Sequence, residues 1–358
     1  MQHDDSATDY ASRTTAVFLG VAIADALSFP LIDYSRRFLH VVPRSLTSEY
    51  TPHASGEHPI GQFSAETQSL LAVARAISDA RGVDARTIAE FLVPLWRDLL
   101  VIAPDPSTSE AMQGLVRGVV SDEQSGLPEG RAESGALIRA VPVGIWLATE
   151  PESIAQASAA ALRITHTDSR VLAAGAGIAA AVAFHMRREE WVLGDFLDCI
   201  ADAASQFSPE LAAAVEDFPR ILSQSVRTAW EIIDSVLVDA SYSPRPDGMS
   251  HYVVPTFLLA IYSFLKSPND FAGATGRAIR LGGRMRTTAS LTAALSASRL
   301  GRESLPEKLV DDLFCRAEVE EVARELATQH EASGLTPARS VVSKRVSTDL
   351  EPEEDGHS

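Results

Sequence analysis

Cysteine is nearly absent from this chain. Its two copies, Cys199 and Cys315, lie in partly apolar, helix-like runs, outside any CxxC or Cys/His cluster. That excludes a disulfide framework and a cysteine zinc site. Other absences are equally informative. There is no GxSxG elbow, no HExxH, no Walker loop and no GxGxxG, so the common signatures of serine hydrolases, zinc proteases, P-loop enzymes and dinucleotide binders are missing. The small-apolar stretch from Val171 to Phe184 is too short and too rich in alanine and glycine to suggest a bilayer span. The opening residues, Met1 to Asp5, are acidic and lack the apolar core of a signal peptide. A cytoplasmic location is the resulting expectation. Positive charge is also in short supply, with 31 Lys and Arg against 48 Asp and Glu and a net charge of -17. Such a surface repels a phosphate backbone, which argues against nucleic acid as a partner. A small basic pocket for one anionic ligand remains compatible with it.

What the chain does have is length and helix-forming composition. Its 358 residues, 46% of them hydrophobic, can bury a sizeable core. Abundant alanine and the scarcity of period-two runs predict an all-α fold with one domain and no internal repeat. The expected organisation is a disordered N-terminus over 1–11, a helical domain over 12–328 and a disordered acidic tail over 329–358. Helices are predicted over Ser12–Leu27, Ala65–Ala80, from the N-cap Asp84 onward with a kink or split at Pro94, Pro151–Leu162, and Asp168–His185. Further helices are predicted over Trp191–Gln206, Ser208–Leu237, Val254–Leu265, Asp270–Arg280, Thr287–Arg299 and Pro306–Thr328. Gly175 and Gly177 would let neighbouring helices approach closely.

Five short polar or glycine-bearing patches sit at the ends of these helices. The first is Gly20 to Ser28, carrying Asp25 inside an apolar helix. The second is Gly61-Gln62-Phe63-Ser64-Ala65-Glu66-Thr67-Gln68, which also reads as a helix start with Ser64 as N-cap. The third is Glu133-Ser134-Gly135 followed by Ala136 to Gly144 and containing Arg139. The fourth is Thr165-His166-Thr167-Asp168. The fifth is Gly282-Gly283-Arg284-Met285-Arg286-Thr287-Thr288, leading into an alanine-rich helix and then Leu305-Pro306. Each has an ordinary structural explanation when taken alone: a core helix, a capping box, a loop, a turn, and a Gly-Gly helix stop.

Their joint order and spacing over about residues 12 to 315 resemble the ADP-ribosylglycohydrolase family. The patches are similar, in sequence, to that family's GxxxGDALG, GxxTDDT, GNGAxMRxxPxG, THxxP and GGDTDT motifs. The resemblance implies an all-α fold with one central cleft, and in intact members two magnesium ions that serve hydrolysis at the ribose C1″ of attached ADP-ribose. The departures matter as much. Ala65 replaces one family aspartate and Glu66 another, and Arg284 and Arg286 stand at the two closing aspartates. Ile32 takes the place of a family glutamate, with Asp33 beside it, and the proline after His166 is missing. Two guanidinium groups beside a dication are unfavourable, so no metal is expected.

Carried across residue by residue, the resemblance implies Glu66, Asp25 and His166 as candidate acid or base groups. It implies Ser64, Thr67, Ser134, Gly135, Gly282, Gly283, Arg284, Arg286 and Thr287 as candidate ligand contacts. Three readings stay open at this point. One is a degenerate member that binds ADP-ribose, a sugar phosphate or another small anion. A second is an active enzyme, either of altered, metal-independent hydrolase or lyase chemistry on a ribosyl-type substrate or a true hydrolase with an atypical site. The third is a non-catalytic scaffold for a protein partner. No reading involves a membrane.

Overall fold

A mostly apolar run from Ala16 to Leu27 forms the most deeply buried part of the first helix, α1 (Gln2–Ser28). It lies along α14 (Met285–Leu300), whose residues from Met285 to Ser298 are likewise all buried. These two helices form the centre of the molecule. A computed structural model describes residues 2–32, 47–118, 126–187, 191–242, 251–281 and 284–334. Every named element among the described residues is helical, and two isolated β-bridges, Leu127 with His166 and Glu133 with Tyr252, tie loops together.

In chain order the helices after α1 are α2 (Ala65–Ala80), α3 (Ala85–Arg97), α4 (Pro106–Val116), α5 (Ala140–Trp146), α6 (Pro151–Arg163), α7 (Ser169–Met186) and α8 (Leu193–Ser205). Next come α9 (Pro209–Glu216), α10 (Phe218–Leu222), α11 (Val226–Asp234), α12 (Val253–Leu265) and α13 (Phe271–Leu281). After α14 follow α15 (Glu307–Asp311) and α16 (Arg316–Ala332). Two candidate membrane-length apolar segments, Asp9–Leu31 and Ser169–Met186, have 89% of their most apolar windows buried inside the protein. They are core helices here, packed against other helices. Close approach is bought with glycine: a Cβ at Gly177 would lie 2.9 Å from Phe257, and one at Gly144 would run into the Ala179 carbonyl.

Several expected boundaries moved, each for a local reason. Disorder was expected to residue 11, but α1 starts at Gln2. Tyr10 is buried, stacks on His330 at 4.4 Å and donates its hydroxyl to the Ile145 carbonyl, which docks this end onto α16 and α5. The tail boundary also shifts, because α16 continues to Ala332; residues 335–358 lie outside the described residues. Pro94 sits inside α3 without splitting it. The stretch expected as one helix over Ser208–Leu237 is three, with Pro219 opening the second and Ser225 capping the third through the Thr228 N–H. The helix expected over Pro306–Thr328 is two, separated where Cys315 adopts a left-handed φ of 57°. By contrast α2 keeps its expected bounds, and Asp84 and Asp168 cap α3 and α7 as read from their positions.

Candidate functional site

The C-terminal end of α1, the start of α2, the loop leading into α4, the turn before α5, the turn after α6 and the start of α14 converge on one buried polar cluster. At its α1 side sits Asp25, fully buried. Its carboxylate accepts four hydrogen bonds: Ser64 N–H at 2.8 Å, Ser64 O–H at 2.6 Å, Thr67 N–H at 3.0 Å and Thr67 O–H at 2.8 Å. Ser64 is the N-cap residue of α2, yet its own hydroxyl makes no cap bond. An aspartate from a different helix caps α2 instead, satisfying donors that the helix start would otherwise leave open.

In the first turn of α2, Glu66 is buried and accepts the Thr287 hydroxyl at 2.6 Å through one oxygen. Its other oxygen has no partner among the described residues. Burial pushes the Glu66 carboxyl above its ordinary range, against the pull of Arg286 and Arg284. Arg286, also buried, donates to the Ser64 hydroxyl oxygen at 2.6 Å and to the Ala103 carbonyl at 2.8 Å. Arg284, with its side chain 12% exposed, pairs with Asp105. Burial, and then the neighbouring Arg286 charge, bring the Arg284 guanidinium down to about 10.

Asp105 was not among the residues singled out from the sequence. Its local signal is legible as Asp105-Pro106-Ser107, an N-cap followed by a first-turn proline, and it does cap α4 through Ser107 N–H at 2.9 Å and Thr108 N–H at 3.2 Å. Nothing local announces that it also holds Arg284, 179 positions away. Gly135 makes this corner possible, since a Cβ there would lie 2.6 Å from the Thr108 hydroxyl and 2.7 Å from Asp105. Glu133 turns aside to Arg131 at 3.0 Å. The Ser134 and Thr108 hydroxyls are buried without a partner among the described residues.

Arg139 is fully buried and donates from Nη1 to the Thr165 hydroxyl oxygen at 2.8 Å. Its Nε and Nη2, the edge that would grip a carboxylate or phosphate side-on, are unpartnered among the described residues. Burial lowers it to about 10, and the Glu66 charge works in the opposite direction. His166 is fully buried; its Nδ1 lies 2.9 Å from Thr165 Oγ1 and its Nε2 lies 3.1 Å from Ser107 Oγ. Burial, reinforced by the Arg139 charge, lowers this imidazole to about 3, so it is neutral near pH 7. His251 Nδ1 lies 3.8 Å from Asp105.

The cluster thus brings together Asp25, Ser64, Glu66, Thr67, Ser134, Gly135, His166, Arg284, Arg286 and Thr287. Asp33, Gly282 and Gly283 lie outside the described residues. A pair of magnesium ions does not fit these side chains as they stand. Hard dications need several carboxylate oxygens converging on one point. Asp25 has its oxygens committed to four donors, residue 65 is an alanine, and the Arg286 guanidinium occupies the space beside Ser64 and Glu66. Among the described residues no group of three or more His, Cys, Asp or Glu is placed to hold a metal.

A family model for ADP-ribosylglycohydrolase matches residues 6–335. The chain belongs to the ADP-ribosylglycohydrolase family. An uncharacterized protein of Archaeoglobus fulgidus is 23% identical to it over 312 residues, covering 87% of this chain and 95% of that protein. A solved ADP-ribosylglycohydrolase-related protein complex has a chain that superposes with a TM-score of 0.68 at 19% identity, covering 90% of this chain and 99% of the other. At that identity the likeness speaks to the fold: this is an all-α ADP-ribosylglycohydrolase fold across the described body of the chain.

Proposed function

We propose that this ADP-ribosylglycohydrolase-family protein binds an anionic ligand of the ADP-ribose or sugar-phosphate class and does not hydrolyse it by a two-magnesium route. The observation that carries the reading is a surplus of buried guanidinium N–H groups. Arg139 Nε and Nη2 and Arg284 Nε have no acceptor among the described residues. Unmet donors on a buried cation are costly, and an acceptor-only oxyanion is the complementary partner. Arg286, bonded to Ser64 beside Glu66, supplies fixed positive charge on the α2 side of the cluster. Arg284 is the most exposed arginine of the three and is suited to leave Asp105 for a ligand.

Titration calorimetry with ADP-ribose tests this reading. The expected result is saturable binding in the presence of EDTA, reduced at least tenfold by Arg284→Ala, with no release of free ADP-ribose from ADP-ribosylated arginine or serine peptides. Magnesium-stimulated release from such a peptide would overturn it. A second reading has its own support. The Arg284–Asp105 and Arg286–Ser64 contacts fold both arginines back onto the protein, as a self-neutralised remnant in a scaffold would. Absence of any response to ADP-ribose, ribose 5-phosphate and inorganic phosphate would favour that scaffold.

A further inference from the structure

A continuous hydrogen-bonded chain crosses the cluster from buried Arg139 to partly buried Arg284: Arg139, Thr165, His166, Ser107, Asp105 and Arg284. Its direction is set at the Asp105 end, and the Arg139 end is compatible with it. A guanidinium only donates, so Thr165 Oγ1 accepts from Arg139 at 2.8 Å, and its own proton remains available to His166 Nδ1, 2.9 Å away. A neutral imidazole that accepts at Nδ1 carries its proton on Nε2. From the other end, a carboxylate only accepts, so the Ser107 hydroxyl donates to Asp105. Ser107 Oγ must then accept, and the group 3.1 Å away is His166 Nε2. The Ser107 end sets the tautomer, and the Thr165 end accommodates it.

We infer that Asp105 and Ser107 form a positioning relay that holds His166 as the Nε2–H tautomer and, through Thr165, orients Arg139 for its ligand. Both nitrogens of His166 are engaged and the ring is fully buried. It therefore serves as a link in the relay and not as an acid or base toward a bound molecule. Asp105 anchors both ends of the arrangement, since its second oxygen takes Arg284. Arg139 and Arg284 are thereby set relative to each other from a single carboxylate. The tautomer stands on the hydrogen-bond geometry and on the ring's full burial, which keeps it neutral, whereas the ligand-orienting role rests on the anion-binding reading above.

Long-range ¹H–¹⁵N correlation on the full chain labelled at histidine reads the tautomer directly. The expected His166 signature is an unprotonated Nδ1 and a protonated Nε2. A protonated Nδ1, or a ring averaging between the two forms, overturns the relay. The orienting role is read by ADP-ribose titration of two variants, Ser107→Ala and Thr165→Val, each with its fold checked by circular dichroism. Losing one hydrogen bond of the relay is expected to weaken ADP-ribose binding by about fivefold in either variant. Unchanged affinity in both, with the tautomer as expected, overturns the orienting role. If the unaltered chain fails to bind ADP-ribose, the binding proposal falls, while the tautomer measurement still decides the relay.

Discussion

At the α1–α2 end of the polar cluster one carboxylate, Asp25, is met by four neutral donors from Ser64 and Thr67. At the α14 end three arginines, Arg139, Arg284 and Arg286, face two carboxylates, Glu66 and Asp105, and leave N–H groups without an acceptor among the described residues. The first end is closed: a charge buried at a helix start is stabilised by aligned backbone and hydroxyl donors, with no cation required. The second end is open in the chemical sense, because its donors exceed its acceptors. In a family whose resemblance implies cations held by carboxylates, this chain has kept an acid where it caps a helix. Arg284 and Arg286 stand at the positions that the resemblance matches to closing aspartates, and the proposal above reads them as part of an anion site.

The sharpest way to break this contrast is at the closed end. Asp25→Ala strands four buried donors at once, and a loss of about 3–5 kcal/mol in urea unfolding is expected. A loss below about 1 kcal/mol would contradict the capping role of Asp25. At the open end, Arg284→Met removes a cation whose partner Asp105 keeps its three bonds from Ser107 and Thr108. A smaller stability loss, about 2–3 kcal/mol, is expected there, because a carboxylate loses its ion pair but not its other donors.

Acid should weaken the protein as a whole. Burial holds His166 at about 3 and His185 at about 3, both depressed from 6.5. The unfolded chain therefore takes up protons first as pH falls below 6.5, and the stability these neutral rings represent is lost between that point and their folded values. At pH 5 the loss is about 2 kcal/mol for each ring, read as a falling Tm. Glu66 works the other way, because its raised carboxyl favours the folded state as pH falls. Glu66→Gln keeps an acceptor for Thr287 and removes a desolvated charge, so a change within about 1 kcal/mol at pH 7, on the stabilising side, is expected. A loss above 2 kcal/mol would show that Glu66 neutralises the arginines more than its burial suggests.

How much of this was legible in the sequence divides along the same line. The helices with clear apolar spacing, α2, α3 and α7, the latter two with their own aspartate caps, were readable because those signals lie within a few residues. The α9–α11 region was read as one helix because Pro219 and Ser225 act as helix starts inside an apolar pattern that continues across them. The candidate site was readable as a set of positions through motif order. Its internal pairing was not. That Asp25 would cap α2, that Asp105 would hold Arg284, and that His166 would be walled in by Thr165 and Ser107 are long-range facts, set by how α1, α2, the α3–α4 loop and α14 pack. A family pattern names the places; side chains that depart from the pattern choose their partners only in the folded chain.

The central claim is that guanidinium charge stands in for metal charge in this site. Thermal shift with ADP-ribose alone, Mg²⁺ alone and both together tests it most directly. The account predicts a rise in Tm with ADP-ribose that EDTA leaves unchanged, and no rise with Mg²⁺. Stabilisation by sub-millimolar Mg²⁺, or an ADP-ribose response that appears only when Mg²⁺ is present, would contradict it.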